Sequence, residues 1–261
     1  MSTPPVNVTG RIAAVLRALS AAPGGSATTS RLARATGLAR PTAHRLLAGL
    51  AEEGFVDRDQ RTGDWHLGPE LYLLGEVAAQ RYNIVEQARE VVHRLAATTG
   101  ESAFFSARRG EETVCLLRED GDFPIRSFVL YEGARFPLGV VSAGLVVLSM
   151  LPDREVDDYL GRTDLTAEWS ASHSTAELRK RIAATRENGY SVNPGLVVEG
   201  SWGMAAAVFD AAGAPAWALT LTGVESRFRE SRRPELGALL LREAHALTTR
   251  VHGMARHQVP T

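Results

Sequence analysis

The chain has 261 residues, 44% apolar and 23% charged, which is ordinary for a globular protein and enough for one large core or two modest ones. A single cysteine, Cys115, excludes an intramolecular disulfide, and neither the start MSTPPVNVTG nor the apolar run near Gly139–Leu151 reads as a secretory signal or a membrane span, so a cytoplasmic protein without a membrane partner is expected. The net charge of -1 is unevenly placed: Met1–Ala51 holds six arginines and no Asp or Glu, leaving 23 basic against 30 acidic residues beyond it, a localised positive field suited to nucleic acid.

Ile12, Val15, Leu16 and Leu19 recur at helical spacing and predict an amphipathic helix over Arg11–Ala21, ended by Pro23-Gly24-Gly25. A second helix starts near Thr29 or Ser30, either of which can cap it, and stops at Gly37. A third opens at Arg40-Pro41, where the missing proline N–H costs nothing, and runs to about Glu52. Leu32, Ala33, Gly37, Ala43 and Leu46 supply what two steeply crossing helices need: a small residue at the crossing, a glycine free to take positive φ, and apolar anchors. With Ala43, Leu46, Leu47 and Leu50 turned inward, Pro41, Thr42, Arg45 and Ala48 face outward, Arg40 stands at the N-terminus and His44 on the flank. Such a face can enter a major groove: Arg45 suits a bidentate guanine contact, Thr42 a thymine methyl or a phosphate, and Arg40 a phosphate. Thr29, Ser30 and Arg31 join the candidate DNA contacts, while His44 reads equally as a solvated histidine.

Glu53–Arg58, the turn Arg61-Thr62-Gly63-Asp64 and the returning Trp65–Gly68 predict a hairpin directly behind that helix, which is a wing. Arg58 and Arg61 are placed to touch phosphate or minor groove, although Asp57, Asp59 and Asp64 temper the field. Trp65 is expected to pack the wing onto the helices rather than stack on a base. The runs Leu32-Ala33-Arg34-Ala35-Thr36-Gly37-Leu38, Thr42-Ala43-His44-Arg45-Leu46-Leu47, Glu53-Gly54-Phe55-Val56, Arg61-Thr62-Gly63 and Leu67-Gly68-Pro69 together resemble the IclR family of transcriptional regulators. That resemblance implies an α+β chain with an N-terminal winged helix-turn-helix over residues 1–68, a linker helix over 69–83 and a GAF-like effector-binding domain over 84–261. It further implies a homodimer or dimer of dimers on a double-stranded DNA operator, with an inverted repeat following from two-fold symmetry.

Pro69–Tyr82 carries helical periodicity through Leu71, Leu74, Val77 and Ala78, a stripe that a lone exposed helix would not need; the resemblance gives it a part in dimerisation. A helix over Ile84–Thr99 follows, then strand-like Ser102–Ala107, Thr113–Arg118 and Arg126–Leu130. Helices around Ser142–Met150 and Thr175–Glu187, strands Met204–Phe209 and Trp217–Leu221 joined at Asp210–Ala214, and a helix over Pro234–His252 complete the reading.

The resemblance also supplies candidate ligand positions: Arg135 and Leu138, Val141, Ser142, Ala143 and Gly144 in one stretch, Glu199, Ser201, Trp202 and Met204 in another. Members of the family often show His, Thr and Lys where this chain has Gly139, Val141 and Leu145, and Cys and Pro where it has Gly203 and Ala207, which implies a more apolar pocket. Trp202 and Phe105 would then stack on a flat ligand. The free N–H groups at the start of the Ser142 helix would seat a carboxylate, so the expected effector is small and partly aromatic or acidic.

No P-loop, H-E-x-x-H, C-x-x-C or G-x-S-x-G is present, and neither a catalytic set, a metal site nor a cofactor is expected. Cys115 reads as a buried structural thiol, and His245 and His252 share a helical face but supply just two ligands. Hydrolysis of a small molecule, or DNA binding that ignores ligand, are the alternatives to an effector-controlled regulator.

Overall fold

The computed structural model describes residues 7–79 and 84–257, with side chains described through Gly253. It divides into two compact units, residues 1–82 and 83–261. In the first, α1 (Val8–Ser20), β1 (Ser26–Ala27), α2 (Thr29–Thr36), α3 (Arg40–Glu52), β2 (Val56–Arg58), β3 (Trp65–Leu67) and α4 (Pro69–Ala79) follow in order. The predicted end of the linker at Gln80–Asn83 lies outside the described residues.

Helix α2 is capped one residue earlier than expected, by Thr28, whose Oγ1 accepts the Arg31 N–H at 3.2 Å. Gly37 closes it with φ at 68°, a left-handed turn in which the Leu38 N–H donates to the Ala33 carbonyl at 3.0 Å. Val15, Leu19, Leu32, Leu47, Leu50, Val56 and Trp65 form one small core, so the three helices and the wing are a single packed body. Here β3 pairs with both β1 and β2 in antiparallel register. The wing's root is a close backbone crossing, since a β-carbon at Gly68 would lie 2.2 Å from the Gly54 carbonyl oxygen.

The second unit begins with α5 (Ile84–Thr99), β4 (Ser102–Arg109), β5 (Glu112–Glu119) and β6 (Arg135–Pro137). Then come α6 (Ser142–Ser149), α7 (Asp153–Arg162), α8 (Thr166–Trp169), α9 (Thr175–Asn188), β7 (Tyr190–Pro194), β8 (Ser201–Phe209), β9 (Pro215–Val224) and α10 (Arg233–His257). The strands make one antiparallel sheet in the order β6-β5-β4-β9-β8-β7. The strand expected at Arg126–Leu130 is absent: residues 120–134 are irregular, and β6 takes the free edge of β5 instead.

Alternation along the strands sorts side chains onto two faces. Ala103, Phe105, Met204, Ala206, Leu219 and Leu221 pack against α5 and α10. Ala205, Ala207 and Ala218 pack beneath α6, with α7 and α9 stacked on the same side. Among the described residues no helix is long and apolar enough to cross a membrane.

Candidate nucleic-acid interface and ligand chamber

On the first unit Ser30, Arg31, Arg40, Pro41, His44, Arg45, Arg58 and Arg61 are all exposed, and Thr42 is half-buried. None of Arg31, Arg34, Arg40, Arg45 and Arg61 has an acidic partner among the described residues. Helix α3 starts after Ala39 without a side-chain cap and Pro41 has no N–H, so the Arg40 and Thr42 amides are left to an outside acceptor such as phosphate.

Thr29 departs from its expected place. It is buried, and its Oγ1 accepts the Trp65 indole N–H at 2.9 Å, so it fastens the wing instead of facing a partner. Trp65, 3% exposed, packs as expected and meets His44 edge-on with ring centroids 6.4 Å apart. Arg58 lies 5.4 Å over the same ring, with its Nε 3.4 Å from the Gly63 carbonyl, which holds this cation on the wing. The wing turn is tied by Asp59, whose carboxylate accepts the Arg61 and Thr62 amides at 2.7 and 2.9 Å; these bonds hold its pKa below the usual value.

On the second unit a small chamber lies between the start of α6 and the sheet, with a volume of about 20 Å³, room for one water. Its floor is one cross-strand row: Asn193 of β7 opposite Gly203 of β8, which is opposite Thr222 of β9. Gly203 contributes no side chain to that row, and a β-carbon there would lie 2.9 Å from the Ser142 Oγ. Val129, Val141 and Val197 supply apolar walls. The Oγ1 atoms of Thr222 and Thr220, both on the α6 side of β9, are buried with no hydrogen-bond partner.

The start of α6 is pinned to β7. Ser191 Oγ donates to the Ser142 carbonyl at 2.8 Å, and Asn193 Nδ2 to the Val140 carbonyl at 2.8 Å. His173 brings its Nε2 within 3.3 Å of that same carbonyl, and burial lowers its pKa. Ser127 Oγ and Ser201 Oγ, 2.5 Å apart, join residues 120–134 to the start of β8.

Of the expected ligand positions, Val141, Ser142, Ser201 and Trp202 line the chamber. The indole of Trp202, however, packs with the α5–α10 core, and the Arg233 guanidinium covers it at 4.8 Å, so it offers no free stacking face. Phe105 stacks on Trp217 in that core and Met204 is buried there too; strand alternation removes both from the chamber. Leu138 and Ala143 are core residues, and Gly144 is the point where α6 crosses the chain at Pro137–Gly139. Arg135 pairs with Glu112 on the β5–β6 edge, and Glu199 is exposed on an outer groove. The chamber's walls are largely apolar, and its floor adds the Thr222 hydroxyl and the Asn193 amide. Thr222 and Asn193 went unnoticed, yet alternation about the inward Leu219 and Leu221 was a signal for the first.

Burial raises the Cys115 thiol to about 12, so it is not poised as a nucleophile. Among the described residues no three His, Cys, Asp or Glu side chains gather as a metal site.

Residues 76–249 match the bacterial transcriptional regulator IclR C-terminal model, and residues 8–60 match the IclR helix-turn-helix domain. The chain is 29% identical to the HTH-type transcriptional regulator KipR of Bacillus subtilis, over 81% of this chain and 84% of that one. It is 26% identical to the transcriptional repressor IclR of Escherichia coli, over 94% and 92% respectively. An IclR homolog from Microbacterium hydrocarbonoxydans, solved in complex with 4-hydroxybenzoate, shares the fold with a TM-score of 0.73 at 21% identity, covering 94% of this chain and 99% of that one.

Proposed function

Because the chain belongs to the IclR family of bacterial transcriptional regulators, we propose that it grips an operator through α3 and the wing while a small molecule in the α6 chamber modulates the grip. The observation that carries this is the set of exposed, unpaired arginines around the uncapped start of α3. In this reading residues 1–68 are the DNA-binding domain, 69–83 the linker and 84–261 the effector domain; the protein works in the cytoplasm as a regulator of a metabolic operon and catalyses nothing.

Arg45 reads a base while Arg31, Arg40, Arg58 and Arg61 hold phosphate. Arg45→Ala is expected to weaken operator binding by about 1–3 kcal/mol and to relax preference at one base pair, measured by gel shift against a panel of operator variants. Equal loss on every sequence, random DNA included, would assign Arg45 to phosphate alone.

The working form is a dimer on an inverted repeat. Support comes from α4, where Tyr72, Leu73, Leu74 and Val77 are 49–68% exposed, an apolar face larger than a solitary helix leaves open. A full-length chain carrying Leu73→Ser and Val77→Ser is expected to sediment as a monomer at micromolar concentration and to lose inverted-repeat binding. An unchanged dimer would show that α4 is not the seam.

The effector is a small acid. Thr222 and Ser142 border one space at the start of α6 and offer hydroxyl donors to it, and the 4-hydroxybenzoate bound by the Microbacterium relative is consistent in chemistry. Adding aromatic acids to the gel shift tests it: affinity unchanged by every acid would leave DNA binding without an effector.

A further inference from the structure

Outside the chamber lies a groove of about 440 Å³, bordered by Arg126, Phe128, Val198 and Glu199. Chamber and groove share Val129 and Ser201, so they adjoin. Their boundary is the Ser127–Ser201 hydrogen bond, since Ser201 borders both spaces and Ser127 the outer one. The two differ in chemistry. The inner floor presents the unpartnered Thr222 hydroxyl, 5% exposed, beneath the amide end of α6. The outer part presents Phe128, 75% exposed, and Val198, 52% exposed. The Arg118 guanidinium, 5.9 Å from the Phe128 ring, covers one side of it and leaves the ring otherwise open.

We infer that the ligand is bipartite: an acid head small enough for the Asn193–Gly203–Thr222 row, carrying an extended apolar body that crosses the Ser127–Ser201 rim and lies against Phe128 and Val198. This rests on the chamber's being the effector site and adds the size and shape of what enters it. A head-only ligand would leave two large apolar side chains in water at the mouth of its own site. A long ligand covers them and supplies, through apolar burial, affinity that a chamber of one water's volume cannot give. Gly203 sets the head size, because any side chain there meets Ser142.

Calorimetry on the full-length protein with phenylacetate, 4-phenylbutyrate and 6-phenylhexanoate tests the inference. Affinity is expected to rise at least about tenfold from the first to the last as added methylenes are buried. The surface pair Phe128→Ala and Val198→Ser is expected to flatten that rise, with the largest loss of affinity on 6-phenylhexanoate and the smallest on phenylacetate. Gly203→Val is expected to abolish binding of all three; a circular dichroism melt identical to wild type separates a filled chamber from a misfolded one. Equal affinity along the series would overturn the bipartite ligand and leave the effector chamber standing. Tight binding of the long acid that survives Gly203→Val would place it outside the chamber and overturn the inference. Indifference to all three acids would overturn both.

Discussion

Trp65→Ala is expected to cost the DNA-binding unit about 3–5 kcal/mol, enough to unfold a body with so small a core. The indole belongs to that core with Val15, Leu32 and Leu47, and it ties β3 to α2 through the Thr29 hydroxyl. Removing it leaves a void that the short wing cannot refill and frees Arg58 from the ring beneath it. Operator binding should vanish while the second unit, whose core does not include Trp65, keeps its own melting transition. Trp65→Phe keeps most of the volume and loses the hydrogen bond, so a cost of about 1 kcal/mol and retained binding are expected. Two-step thermal unfolding followed by circular dichroism reads both; a Trp65→Ala protein that melts like wild type would show the wing to be an independent appendage.

The second large effect falls at Glu101. Its carboxylate is 1% exposed, and one oxygen accepts from both Arg227 Nε at 2.7 Å and Arg232 Nη1 at 2.6 Å. Both guanidinium groups also donate to the Thr99 carbonyl. Arg227 in turn lies 4.7 Å over Phe123, so the carboxylate anchors the irregular stretch that borders the groove. Glu101→Ala is expected to cost about 3 kcal/mol, at the low end for a buried pair because both arginines are partly exposed and can rehydrate. Denaturant unfolding measures the loss, and hydrogen exchange should show residues 120–134 opening first. Glu101→Gln keeps an acceptor and should lose less; equal losses from both would mean that charge, not hydrogen bonding, holds the clamp.

The helix-turn-helix and wing were legible because their rules are local. Gly37, the apolar spacing on α3 and the turn at Gly63 each constrain a few neighbouring residues. The cap slipped by one position, since Thr28, Thr29 and Ser30 are chemically alike and only the fold assigns Thr29 to Trp65. Elements that exist by virtue of a distant partner were harder. Strand β7 forms because β8 offers it a ladder, and β6 displaces Arg126–Leu130 from the edge of β5 by pairing, not by propensity. The chamber suffered in the same way. Trp202 adjoins Gly203 in sequence and Phe105 lies on the central strand β4, but a one-residue step along a strand reverses the face, and both rings point into the other core. Its true floor needed the register of three strands.

That floor has an evolutionary side. The space beneath α6 exists because one position, Gly203, lacks a side chain, and the first atom a substituent meets is the Ser142 hydroxyl, which can rotate aside. Alanine, serine, cysteine and valine are each a single base change from a glycine codon. Such changes would resize the compartment stepwise without disturbing the sheet, because the ladder of β8 uses only backbone. A lineage of these regulators could thus move between metabolites through one codon while its operator-reading surface stayed untouched.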